Sequence, residues 1–267
     1  MLQKFIKRLS LRSRWGLALR TLPFVMIVVL AKFFMHSLGY EFLTLNPLFT
    51  ALISANIFLI GFLISGTLVD YKESEKLPGD VAASLETMAD EGLIIYENKR
   101  SQEAKDFLRK LSEFSGSLVD WFHKKERTYK VMETLRSFND DFLAFESQTQ
   151  ANFIVRLKQE QHALRKMINR IHTIRETSFL FNDTATTEIY TSILVVGLIF
   201  VKMDPFSESA FFTSFVSFIM IYMIFFIKDL DNPFGYNEED SLVEEVSLKP
   251  VLDSQKRISL CYKELSE

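Results

Sequence analysis

The stretch FTALISANIFLIGFLISGTLV, residues 49–69, decides how the rest of the chain is read. It carries no charged residue and is as long as the ~20-residue helix that crosses a bilayer's hydrocarbon core. Residues 22–38 and 211–227 are apolar runs of comparable length, and residues 192–203 form a shorter fourth run that needs its upstream neighbours to span. The apolar residues, 48% of the 267, are thus gathered toward the two ends, and the middle reads as a charged helical protein. The expected fold class is all-α: a polytopic membrane protein with four transmembrane helices and a helical cytoplasmic domain. The expected division is 1–70 (basic N-terminus, spans one and two), 71–178 (cytoplasmic helices), 179–228 (spans three and four) and 229–267 (acidic C-terminal segment).

Charge asymmetry orients the spans. Lys4, Lys7, Arg8, Arg12, Arg14 and Arg20 precede the first span, whereas the link at residues 39–48 has no Lys or Arg, and neither does the second link after Lys202. By the positive-inside rule both termini and the middle segment are expected in the cytoplasm, and a bacterial inner membrane is the expected location. Residues 22–38 contain Lys32 and no A-x-A cleavage site, so a retained helix is expected rather than a signal peptide. Lys32 inside a span is costly; it is expected to snorkel to the outer interface near His36 and Tyr40, the alternative being a place in an ion path.

Composition excludes several functions. A net charge of −3 offers no basic excess for nucleic acid. Cys261 is the single cysteine, and His36, His123, His162 and His172 fall in no ligand spacing. The nearest approach to an acid–base pair is Asp140-Asp141 or Glu160 with His162, and exposed helices carry such pairs routinely, so no enzyme is expected.

In the middle segment a helix is expected to open after Pro78-Gly79. Leu108, Leu111, Phe114, Leu118 and Trp121 share a helical face, as do Val131, Leu135, Phe138, Phe142 and Phe145, and then Leu157, Leu164, Ile168, Ile171 and Ile174. These stripes are read as packing cores. The absence of Gly and Pro between Gly116 and Gly197 permits very long helices.

The second span alone has a continuous small and polar stripe. Thr50, Ser54, Phe58, Gly61/Phe62 and Ser65 recur at helical spacing, and Asn56 adds an amide at membrane depth. Repeated around an axis, this face would line a pore with Asn56, Gly61 and Ser65 among its walls. Small residues equally suit helix–helix packing, and periodicity does not choose.

After the fourth span, Asn232-Pro233-Phe234-Gly235 reads as a turn, and seven carboxylates lie within residues 229–245. Oxygen-rich loops suit Ca²⁺, although Ser241-x-x-Glu244 is also a helix capping box. Here the sequence resembles the bestrophins: the Asn-Pro-Phe-Gly motif past a fourth span, the acidic run behind it, and the large helical insert between spans two and three are similar to theirs. The resemblance implies a homopentameric ion channel, conducting chloride by family default, with Phe58 and Phe62 as two of three hydrophobic neck residues. Ser54 stands at the third neck position, where the family commonly has an aliphatic residue, and this implies a wetter neck. The resemblance also implies a candidate Ca²⁺ clasp at Glu238, Glu239 and Asp240, although bacterial relatives often lack calcium control. The partners implied are the lipid bilayer, inorganic ions and further copies of the chain. The alternatives are a membrane-anchored helical scaffold or sensor without conduction, and a cation-selective channel of the same fold.

One stretch fits none of this. Residues 182–191, NDTATTEIYT, match over all ten positions the in-frame translation of a common sequencing adapter, and they put Asp183, Glu188 and four threonines at a membrane entrance. The hypothesis is that they replace native residues at the start of the third span, with poor local matching to the bilayer. Sequencing an independent native copy is expected to give different codons there; identical codons would dispose of the idea.

Overall fold

The computed structural model describes residues 15–176, 181–231, 233–234 and 246–265. Among them are helices α1 (Gly16–Ser37), α2 (Pro47–Lys99), α3 (Gln102–Phe122), α4 (Thr128–Phe145), α5 (Ala151–Glu176), α6 (Phe181–Phe200), α7 (Phe206–Leu230) and α8 (Lys249–Glu264). Two strands of two residues each, β1 (Leu43–Thr44) and β2 (Val201–Lys202), pair in parallel, Leu43 with Val201 and Thr44 with Lys202. The chain forms two compact units, and α2 gives its residues up to Tyr71 to the first and the remainder to the second.

The first unit holds the apolar helices. α1, α2 and α7 are each long and apolar enough to cross a membrane, and Ala185–Phe200 of α6 is a shorter apolar segment. The fourth run does draw on its upstream neighbours, as α6 begins at Phe181. α1 and α7 run antiparallel, with Phe24 edge-on to Phe225 at 5.4 Å near one end and Phe33 edge-on to Phe206 at 6.1 Å near the other. Along α7, Ser209, Thr213 and Ser217 are buried one turn apart, and such small residues let helices approach closely where lipid supplies no hydrophobic drive. Val28, Leu194, Val195 and Met220 make one apolar cluster with Ile53 against it; Ile60, Leu63, Ile224 and Ile227 make another.

Lys32 does not snorkel to water. It is fully buried, and its Nζ donates to the main-chain oxygens of Ile199, at 3.3 Å, and Val201. These carbonyls lie at the C-terminal end of α6, where backbone acceptors lack helical partners and the helix dipole favours a cation. Glu41, from the connection between α1 and α2, pairs with the ammonium at 2.5 Å and reaches His36 Nδ1 at 2.8 Å with its other oxygen. The His36 ring in turn stacks on Phe206 at 4.0 Å. One buried cation therefore gathers α1, the β1 connection and the turn between α6 and α7.

In the second unit the three predicted stripes form the core, except that Ile174, at the end of the third, is only half-buried. Leu108, Leu111, Phe114, Leu118 and Trp121 are buried, as are Val131, Leu135, Phe138, Phe142 and Phe145, and Leu157, Leu164, Ile168 and Ile171. Phe107 sits among Phe138 and Phe145 at 5.6 and 5.4 Å in edge contacts, and Gly92 makes room for it: a Cβ there would lie 2.6 Å from the ring. Arg170 holds Glu73 through two hydrogen bonds, of 2.9 and 2.6 Å.

Two further expectations are corrected. No helix opens after Pro78-Gly79, because α2 passes through both. Leu77, Val81, Ala82, Leu85 and Met88 form one buried stripe across the proline, and its burial outweighs the ~3 kcal/mol that an interior proline costs. Nor does the stretch without Gly and Pro make very long helices. It is cut between Phe122 and Thr128, where Lys124 takes the left-handed conformation at φ 57°. Trp121 sets that turn: its carbonyl accepts from Lys124 N and from Arg175 Nη1, both at 3.0 Å, and its indole donates to Thr128 Oγ1 at 2.9 Å.

Lys32→Met is expected to cost about 3–5 kcal/mol in denaturant unfolding, because Glu41 would stay buried without its cation, and adding Glu41→Gln should recover most of the loss. The pair also has a pH signature. Burial works against ionisation of the Glu41 carboxyl, but hydrogen bonds from His36 and Lys32, with their charges, outweigh it and hold the carboxyl below its ordinary value of 4.5. Its stabilisation is thus complete above pH 4.5 and lost as pH falls through the lower folded value, and Glu41→Gln should flatten that part of the acid-unfolding curve.

Candidate functional site

The membrane part of α2 has two faces set by the helical period. Asn56, Ile60, Leu63 and Thr67 are buried at steps of four, three and four. Opposite them Thr50, Ser54, Phe58, Gly61, Phe62 and Ser65 are exposed, with Phe58 at 77% and Phe62 at 69%. Ser54, Phe58 and Phe62, the positions expected at a neck, therefore share one exposed face of the chain, and Gly61 and Ser65 lie beside them.

Asn56 departs from the expected pore-lining set. Its side chain is turned into the protein, where Nδ2 donates to Thr191 Oγ1 of α6 at 3.0 Å. The reason is phase: Asn56 lies two residues, about 200° of helical rotation, from Phe58 and so faces the neighbouring helices. That phase was visible in its spacing from Ile60, Leu63 and Thr67.

The hydroxyls on the open face are not idle. Ser54 Oγ donates to Thr50 O at 3.0 Å, and Thr50 Oγ1 donates to Asn46 O at 3.2 Å. Their protons are spent on the helix's own carbonyls, so what they present outward is oxygen lone pairs.

Of the C-terminal motif, Pro233 and Phe234 are buried, while Asn232 and Gly235 lie outside the described residues. Phe234 is fully buried against Phe122 at 6.0 Å. Glu238, Glu239 and Asp240 also lie outside the described residues. Among the described residues no group of three or more His, Cys, Asp or Glu side chains could hold a metal ion. Asp141, noted as half of a candidate acid pair, is the partner of Lys110 at 2.6 Å. A cleft of about 380 Å³ between α1, α6 and α7 is mainly apolar, with Thr191, Ser192 and the Glu188–Lys228 pair at 2.8 Å as its polar lining. Three of those four residues stand in or beside the 182–191 stretch, which is built into α6 with Thr187 and Thr191 buried.

Sequence reasoning missed Thr191 and Glu41. Each is a polar residue that matters through a partner far along the chain, and neither belongs to a periodic stripe.

No family model matches the sequence, and no curated protein matches it. Solved structures do. The chain is similar to crystal structures of a bacterial bestrophin homolog from Klebsiella pneumoniae: one point variant is 17% identical with a TM-score of 0.69, covering 94% of this chain and 98% of that one. A second variant of that homolog is also 17% identical, with a TM-score of 0.70 over 91% of this chain and 98% of the other. A structure described only as a membrane protein is 15% identical, with a TM-score of 0.70 over 92% and 97%. The fold is that of the bestrophins, and the protein is an integral membrane protein whose apolar helices fit that architecture.

The difference in exposure between Phe234 and Phe58 is expected to show in stability. Phe234→Ala is expected to cost about 3–5 kcal/mol in unfolding of the detergent-solubilised protein, whereas Phe58→Ala should cost less than about 1 kcal/mol.

Proposed function

We propose that the protein is a passive ion channel of bestrophin type, in which five copies surround a central pore and each contributes α2 to the wall. In this reading Phe58 and Phe62 form the neck, Ser54 occupies its third position, and Gly61 and Ser65 line the path beside them. Both termini are cytoplasmic, and the bacterial inner membrane is the setting, in keeping with the basic residues before the first span.

The single observation that carries the reading is the open face of α2. It places two phenyl rings, 77% and 69% exposed, among hydroxyls and a glycine. A lipid-facing stripe would be uniformly apolar, and this one carries hydroxyls at Thr50, Ser54 and Ser65. Alternating rings and hydroxyls suit a lumen that gates by dewetting and partly replaces an ion's hydration shell.

Chloride is the ion that the family resemblance implies, and the positive edges of the phenyl rings would favour an anion. A second reading, cation conduction, is favoured by the Ser54 and Thr50 hydroxyls: their protons are committed to carbonyls, so the stripe offers acceptors rather than donors.

Planar-bilayer currents in asymmetric salt test both. A defined reversal potential is expected, its sign giving the permeant ion, and Phe58→Ala and Phe62→Ala should each raise open probability or conductance. Silence from folded, inserted protein would sink the channel reading and favour a membrane-anchored scaffold.

A further inference from the structure

α1 begins and α7 finishes at the same end of the apolar unit, and cations meet aromatic rings there. Phe24 is edge-on to Phe225 at 5.4 Å, and the Arg20 guanidinium lies over the same Phe225 ring, 5.5 Å from its centre. Lys228 follows Phe225 by three residues, so it stands one turn further along the same side of α7. Asp229, the next residue, lies about 100° further round the helix. Trp15, just ahead of α1, is exposed, as suits a tryptophan at the level of lipid headgroups. Lys4, Lys7, Arg8, Arg12 and Arg14 precede it in the sequence.

From these cations a cleft runs between α1, α6 and α7. Outside residues 182–191 its lining is apolar except for Ser192 and Lys228, and Phe24, Ile27 and Val196 are exposed along it. In a bilayer an acyl chain fills such a groove. What separates it from ordinary lipid contact is the pair of cations at one mouth. Stacking on Phe225 uses the face of the Arg20 guanidinium and leaves its N–H edge to donate, a fork that matches two phosphate oxygens. Basic pockets between membrane helices hold anionic headgroups in this way. Lys228 also meets Glu188 at 2.8 Å, but Glu188 belongs to the 182–191 stretch, and that pair carries no role for the native protein.

We propose that the α1–α7 groove binds one anionic phospholipid per chain, with Arg20 and Lys228 on its phosphate and an acyl chain along Phe24 and Ile27. The site goes beyond the channel reading and takes from it only the orientation, which puts the lipid in the cytoplasmic leaflet. Binding in detergent depends on neither orientation nor conduction, so the lipid site and the channel stand or fall separately.

The test is native mass spectrometry of the full-length protein in detergent, titrated with phosphatidylglycerol or with phosphatidylcholine of the same acyl chains. Glu188→Gln is carried throughout, so that its carboxylate does not compete for Lys228. Phosphatidylglycerol is expected to bind about twentyfold more tightly, and Arg20→Gln and Lys228→Gln should each cut that ratio about fivefold. Ile27→Trp, which fills the groove from its exposed edge, should weaken both lipids without changing thermal unfolding. Glycerol phosphate, which has the anion but no acyl chain, should not displace the lipid. Equal binding of the two lipids overturns the proposal, as does a ratio that survives Arg20→Gln with Lys228→Gln. If Ile27→Trp leaves both affinities unchanged, or glycerol phosphate competes fully, no acyl chain lies in the groove and the proposal fails. A ratio lost when Lys4, Lys7, Arg8, Arg12 and Arg14 become Gln, but untouched by Arg20→Gln, puts the lipid on the N-terminal segment and overturns it too.

Discussion

A charge inside a bilayer must find its partners within the protein, and Lys32 shows what that demands. Its ammonium is fully buried and held by Glu41 and by main-chain oxygens at the end of α6. Because the ammonium is closed off from water by the protein, the connection after α1 folds back to bring a carboxylate to it. The same requirement accounts for the smallest element of the fold. β1 and β2 pair over two residues, with Val201 both pairing with Leu43 and accepting from Lys32. Breaking the pair would leave a buried charge uncompensated, so the ends of three helices are linked through one interaction.

With those ends tied, α2 can show two contrasting faces. One is apolar apart from Asn56 and Thr67 and packs on α6 and α7; the other is open, with phenyl rings among hydroxyls. A 53-residue helix is about 80 Å long, far more than the ~30 Å of hydrocarbon requires, and its later residues serve the second unit's core. The bestrophin homolog structures share this fold at 15–17% identity. Such likeness at that identity fits what holds the fold together: apolar and small residues at the right phase, which many sequences supply, and a few polar partners.

Local rules and tertiary packing disagree at two places in the second unit. Proline and glycine at 78–79 read as a helix start, yet a buried stripe on both sides of them carries α2 through. Conversely, no proline or glycine marks residues 117–127, yet the chain turns at Lys124 because Trp121 gathers Arg175, Thr128 and Lys124 around it. In both, the deciding groups lie on other helices, or across the turn, and a local window does not contain them.

The sequence by itself determined the apolar helices, the core stripes of α3, α4 and α5, and that Ser54, Phe58 and Phe62 share one face of α2. All three follow from hydrophobicity read at a period of 3.6, a property of neighbours along the chain. Only the tertiary structure decided what the lone polar groups do. Lys32 found Glu41 nine positions on and carbonyls more than 160 positions away, and Asn56 found Thr191 across 135. A hydrogen bond or ion pair depends on distance and angle between two particular atoms, and periodicity along one helix carries no record of which atom another helix will bring.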